Sequence, residues 1–116
     1  MNFKLRGSNS TEQMDINREI GRYGEAKAKD DYRNLGYYIL DVKSGMFFDF
    51  AAVKFLDKKL NLVFVECKVG NGQMSKRQIW FKRWCEKAGQ NFFLYRITNE
   101  HLRYLMENEI GVGDLQ

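Results

Sequence analysis

The chain has no proline, one histidine and two cysteines among its 116 residues. Without proline, no position forces a kink or a helix stop, so long elements can run uninterrupted. The one histidine, His101, lies apart from the other chemistry-bearing residues and reads as a surface or helix residue rather than a general base. Cys67 and Cys85 lack metal-ligand spacing, and one falls in a strand pattern, the other in a helix pattern. That favours a reduced intracellular protein over a disulfide-stapled one. No stretch approaches the roughly 20 apolar residues of a membrane span. The first residues are polar, so no secretory leader is expected.

Apolar residues make up 44% of the chain and aromatics 15%, which excludes a disordered polar chain. The length suits one domain with a real core, expected over residues 15–116 behind a polar arm at 1–14 that carries Lys4 and Arg6. Net charge is +4, unevenly spread: residues 98–116 hold one arginine against four acids, which leaves +7 on residues 1–97. Between Lys68 and Lys87 the bases Lys68, Lys76, Arg77, Lys82, Arg83 and Lys87 face only Glu86. Such a patch favours a polyanionic partner, although a solubilising face has the same composition.

Periodicity predicts a helix from Asp15 to about Leu35, with Gly21, Gly24 or Glu25, Ala28, Tyr32 and Leu35 inward. Lys27, Lys29, Asp30 and Arg33 fall outward, and Gly36 is a C-cap candidate. Strands follow at Tyr37–Val42, Met46–Phe55 and Leu60–Val69, with turns at Ser44-Gly45 and at Asp57 to Asn61. The third strand is apolar on both faces before Glu66 and so reads as central. Ser75-x-x-Gln78 has the pattern of a capping box and opens a helix to Ala88. Trp80, Trp84 and Ala88 mark its inward stripe, widened by Ile79, Phe81 and Cys85. A strand at Asn91–Ile97 and a helix at Asn99–Glu107 close the chain. The helix between the third and fourth strands makes those two parallel, in a mixed α/β sheet flanked by helices.

Four acid-x-lysine triplets occur: Glu25-x-Lys27, Asp41-x-Lys43, Asp57-x-Lys59 and Glu66-x-Lys68. Only the last sits at the far end of a strongly apolar strand, with another acid, Asp49, on the strand before it. Period-two geometry puts Glu66 and Lys68 on one face. A reversal centred between Asp57 and Lys58 sets Asp49 directly across from Glu66. Buried acids need a partner or a cation. Mg²⁺ takes hard oxygen ligands and keeps several waters. Asp49, Glu66 and the main-chain carbonyl of Cys67 can supply such oxygens, and Glu25 can hold a metal-bound water or a second metal. Lys68 can orient the attacking water or stabilise a phosphorane-like transition state. A purely structural ion pair of Lys68 with Asp49 or Glu66 is the plain alternative.

The order of helix with Glu25, strand with Asp49, strand with Glu66-Cys67-Lys68, helix and strand resembles the PD-(D/E)XK nuclease superfamily. The likeness covers about residues 18–97 and points to archaeal-type Holliday junction resolvases and the small virus-type nucleases of the VRR-NUC group. Gly21-x-x-x-Glu25, Leu35-Gly36-Tyr37, Ser44-Gly45 and Asp49 look resolvase-like; Glu66-Cys67-Lys68, Ser75-x-x-Gln78 and the aromatic helix look like either group. Phe48 stands where the motif usually has proline. The resemblance implies a restriction-endonuclease-like αβββαβ core, catalytic Glu25, Asp49, Glu66 and Lys68, and a Mg²⁺ or Mn²⁺ cofactor. It implies endonucleolytic cleavage of DNA, structure-specific for Holliday junctions or other branches. A viral or archaeal setting fits it.

DNA contacts are expected from Ser44, Ser75, Lys76, Arg77, Gln78, Lys82, Arg83 and Arg22. The basic members among them would hold phosphates and carry affinity without sequence information. Ser75 and Ser44 are equally explained as cap and turn residues. Trp80, Phe81 and Trp84 read as core or dimer contacts rather than base-stacking platforms. A homodimer would match the two-fold symmetry of a junction. Its interface would use the second helix or the Tyr37–Val42 edge. The alternatives are a nicking or end-processing nuclease, a non-catalytic nucleic-acid-binding module of the same fold, and a protein-interaction domain whose acids are structural.

Overall fold

The computed structural model describes residues 10–43, 47–98 and 100. The Ser44-Gly45 turn, the start of the expected second strand at Met46, His101 and the expected helix at 99–107 lie outside them. The elements are α1 (Ser10–Asn34), β1 (Tyr38–Asp41), β2 (Phe50–Leu56), β3 (Lys59–Val69), α2 (Lys76–Ala88) and β4 (Asn91–Ile97). They form one mixed four-stranded sheet in the order β1-β2-β3-β4, with β3 and β4 parallel and the other pairs antiparallel. The α/β class, the central place of β3 and its parallel partner agree with the sequence pattern. Helix α1 begins at Ser10, so residues 10–14 belong to it rather than to a loose arm.

Both helices end on glycine in the left-handed region, where a side chain would be strained. At α1, Gly36 has φ of 91°. Tyr37 N–H donates to Tyr32 O and Gly36 N–H to Arg33 O, the paired bonds of a Schellman stop. Lys54 of β2 adds a cation there, donating to Leu35 O at 2.6 Å. This stop turns Leu35 out to solvent, against the inward place the periodicity gave it. Helix α2 starts on the expected capping box and stops at Gly89, φ 69°.

The β2–β3 reversal is the two residues Asp57 and Lys58, with φ of 50° and 64°. Positive φ at both positions matches the twist of a two-residue hairpin, here without glycine. The pairing from Leu56↔Lys59 to Phe50↔Val65 runs without a slip, so its next step sets Asp49 opposite Glu66.

The sheet is covered on two faces. Under α1, Ala28, Phe50, Ala52 and Val65 form a buried core, with Tyr32, Tyr37, Ile39, Val63, Cys67 and Tyr95 packed around it. Gly24 lets α1 approach Ile97 closely. Tyr95 of β4 donates its hydroxyl to Asp31 of α1. The other face is aromatic: Phe81 of α2 contacts Phe48, Phe64, Phe92 and Trp84. Helix α2 buries Gln78 and Cys85 beside the half-buried Phe81. Trp80 and Trp84, expected inward, are 60% and 45% exposed, and Ile79 and Ala88 are exposed too. A polar residue, Gln78, takes the inward place that hydropathy assigned to tryptophan.

Candidate active site

Asp49 precedes β2 and is bound to β3 on both sides of Glu66. Its amide donates to Val65 O at 2.9 Å, and its Oδ2 accepts from Cys67 N–H at 2.6 Å. The side chain thus takes a main-chain donor of β3 and fixes its own position at the strand end. The contact to Cys67 uses the amide; its carbonyl remains the group expected for a metal.

Glu66 is buried, 1% exposed. Its Oε2 accepts from Gln78 Nε2 and lies 3.4 Å from Lys68 Nζ. Its Oε1 is buried and meets no donor among the described residues. Burial drives the Glu66 pKa up, to about 8. The Asp49 carboxyl adds to this by sharing a hydrogen bond with it and repelling its charge; Lys68 pulls the other way. A buried acid that holds its proton beside a second carboxyl marks a place where a cation can replace that proton.

Gln78 reaches Glu66 because α2 begins where it does. Ser75 Oγ accepts from Gln78 N–H at 3.2 Å, and Gln78 Oε1 accepts from Ser75 N–H at 2.8 Å. The capping box leaves the amide nitrogen free to turn into the sheet. The loop before it is held by Arg96, which donates to the carbonyls of Gly70 and Gly72 at 2.8 and 3.0 Å.

A cleft of about 290 Å³ opens on the α1 side, lined by Gly21, Arg22, Gly24, Glu25, Asp49, Cys67, Val69 and Ile97. Asp49 therefore faces both ways, toward Glu66 and toward Glu25. Burial raises the Glu25 pKa; Lys29 lowers it, and Asp49 raises it again. Lys29 lies 3.6 Å from Glu25 Oε2, 2.6 Å from Asp41 Oδ1, and 5.7 Å from the centre of the Phe50 ring. Its side chain is only 19% exposed, so it does not belong to the outward face. Sequence periodicity missed it, although its spacing of four from Glu25 is a signal for an ion pair.

The fold thus brings together Asp49, Glu66, Lys68 and Gln78, with the Cys67 amide between the two acids. Glu25 stands across the cleft with Lys29. Arg22 lies on the cleft wall, paired with Glu19 at 3.6 Å. Lys76, Arg77 and Arg83 are exposed on α2, Lys82 is half-buried, and Ser75 is the cap. Ser44 is outside the described residues. No group of three or more His, Cys, Asp or Glu side chains among the described residues is gathered closely enough to hold a metal ion by itself. No helix among the described residues is long and apolar enough to cross a membrane. No protein-family model, no curated protein and no solved structure matches the chain.

Proposed function

We propose that this chain is a metal-dependent endodeoxyribonuclease of the PD-(D/E)XK type, which hydrolyses phosphodiester bonds in branched DNA such as a Holliday junction. The observation that carries the reading is the Asp49–Glu66 pair: two carboxyls set opposite each other at the end of the β2–β3 register, Asp49 Oδ2 on the Cys67 amide, Glu66 with a buried oxygen that meets no donor among the described residues, and a lysine 3.4 Å from Glu66. A structural ion pair needs only Glu66 and Lys68. It gives no reason for setting a second, half-buried carboxyl opposite the first or for leaving Oε1 without a donor among the described residues.

The donor set suits Mg²⁺ or Mn²⁺. Asp49 and Glu66 would hold the ion, with the Cys67 carbonyl as a third oxygen and Glu25 acting through water. Such an ion, when bound, lowers the pKa of a coordinated water and neutralises charge on the attacked phosphate. Lys68 lies beside Glu66, where its ammonium can orient a water for attack or offset charge on the phosphorane-like transition state. Gln78 holds Glu66 and thereby the acid pair. The bases of α2 hold the DNA backbone, and a homodimer would present two such sites to a two-fold junction.

The test is cleavage of labelled four-way, flap and linear DNA with Mg²⁺ or with chelator, beside Asp49→Ala. Metal-dependent cutting of the four-way substrate, lost in the variant, supports the reading. Equal cutting of every substrate removes the junction preference. No cutting with DNA binding retained leaves a binding module.

A further inference from the structure

The outer face of α2 combines two exposed tryptophans with a dense row of cations. At about 100° per residue, Lys76, Arg77, Trp80, Arg83, Trp84 and Lys87 share an arc of roughly 120°. All six are exposed, and this arc of the helix holds no acid. The indoles are not loose. Trp84 stacks on Phe81 at 5.6 Å with planes 16° apart, and Trp80 rests on Phe47 at 6.1 Å. Each is supported from the protein side and remains open to solvent.

We propose that this face is a stacking platform for an unpaired, single-stranded DNA segment, with Trp80 and Trp84 taking bases and the four cations taking phosphates. The proposal rests on the nuclease reading only in naming DNA as the partner. Charge fixes the sign of the ligand: a row of cations calls for a polyanion. The tryptophans fix its form, because a duplex hides its base faces in the stack while a single strand offers them. Trp80 and Trp84 sit about 6 Å apart along the helix axis. That spacing leaves room for a separate base on each indole. A second copy fits this face poorly. Two-fold pairing through it would press each row of cations against the same row of its partner.

The test is a binding titration of the full chain in chelator, with oligothymidylate against a duplex of equal length. Trp80 and Trp84 are the only tryptophans, so tryptophan emission, excited to the red of tyrosine absorption, reports on this face alone. The single strand is expected to quench it. Trp80→Ala and Trp84→Ala are each expected to weaken single-strand affinity by about 5- to 150-fold, read from anisotropy of a labelled strand. Trp80→Phe and Trp84→Phe should restore most of the loss, with duplex affinity nearly unchanged throughout. Should circular dichroism show that an alanine variant is unfolded, Trp→Leu at the same position replaces it, keeping apolar volume without a ring to stack. Unchanged single-strand affinity in the folded variants overturns the proposal. So does equal quenching by the duplex, or a dimer in sedimentation that single strand cannot dissociate and the tryptophan variants abolish. Without metal no cleavage enters the measurement. Cutting without this binding would refute the platform alone, and this binding without cutting would refute the nuclease alone.

Discussion

Gln78 holds Glu66 with one end of its amide and the start of α2 with the other. Its Nε2 donates to Glu66 Oε2, and its Oε1 accepts from Ser75 N–H at 2.8 Å. The buried carboxyl and the helix cap are therefore one unit. Gln78→Ala removes half the capping box and leaves a buried oxygen without its amide donor. A cap is worth about 1 kcal/mol and a buried unsatisfied group about 1–3, so a loss of roughly 2–4 kcal/mol is expected. Ser75→Ala should lose only about 1 kcal/mol. Urea unfolding of both variants checks this; equal losses would mean that the amide does nothing for Glu66.

The raised pKa of Glu66 makes stability fall with pH in the metal-free protein. Between the ordinary value near 4.5 and about 8, the folded state keeps a proton that the unfolded state releases. The stability this contributes is complete below about 4.5 and is lost as pH rises through about 8. The slope is at most about 1.4 kcal/mol per pH unit for one proton. Glu66→Gln mimics the neutral acid. It should flatten that slope in chelator, cost little at pH 7, and abolish stabilisation by Mg²⁺. Thermal melts from pH 5 to 9, with Mg²⁺ and with chelator, measure all three. A Glu66→Gln protein still stabilised by Mg²⁺ would remove Glu66 from the metal site.

Two glycines of α1 should respond in opposite directions to alanine. A methyl at Gly24 would lie 2.9 Å from Ile97 Cγ1, inside a contact that buried Ile97 cannot easily relieve. Overpacking costs about 1–3 kcal/mol, which equals or exceeds the roughly 1 kcal/mol that alanine adds in helix propensity. A methyl at Gly21 meets nothing within 4 Å. Gly21→Ala is therefore expected to stabilise by up to about 1 kcal/mol. Denaturant midpoints of the two variants decide it.

These residues also show what a sequence reveals and what it hides. The Asp49–Glu66 relation was legible only on the condition that the reversal centres at Asp57-Lys58; the sequence pattern drew the turn from Asp57 to Asn61, and the hairpin that forms is the two-residue one. The caps at Gly36 and Ser75 were legible because they are local. Lys29 was not: a lysine reads as outward until β1 brings Asp41 to meet it at 2.6 Å. The inward side of α2 was read correctly at Phe81 and Cys85 and misread at Trp80 and Trp84, for a related reason. Its anchor is a polar residue whose partner, Glu66, lies on another element, so hydropathy favoured the tryptophans instead. Contacts between distant polar groups leave no period in the sequence.

The β2–β3 hairpin carries removable strain. Asp57 and Lys58 both hold positive φ, at 50° and 64°. Aspartate tolerates the left-handed region, but lysine pays roughly 1–2 kcal/mol for it. Replacing the pair with Asn-Gly supplies the residues that the turn favours. A gain of about 1 kcal/mol is expected in chemical unfolding, with cleavage unchanged because the turn lies at the far end of β3 from Glu66. A loss of stability would mean that Lys58 makes a compensating contact.

Lys29 sets the charge on Glu25. Burial raises the Glu25 pKa, the nearby ammonium of Lys29 is the main influence lowering it, and Asp49 raises it again. Removing the ammonium therefore moves the Glu25 pKa further up. If Glu25 must be ionised to hold a metal-bound water, Lys29→Met shifts the acid limb of the cleavage profile to higher pH. It should depress the rate most below neutrality, with recovery as pH rises. Lys27 provides the control: it lies two residues away, pairs with Asp31 at 3.3 Å and does not contact Glu25. Lys27→Met should leave the profile in place. Rate–pH curves for the two variants separate the outcomes, and superimposable curves would place Glu25 outside the chemistry.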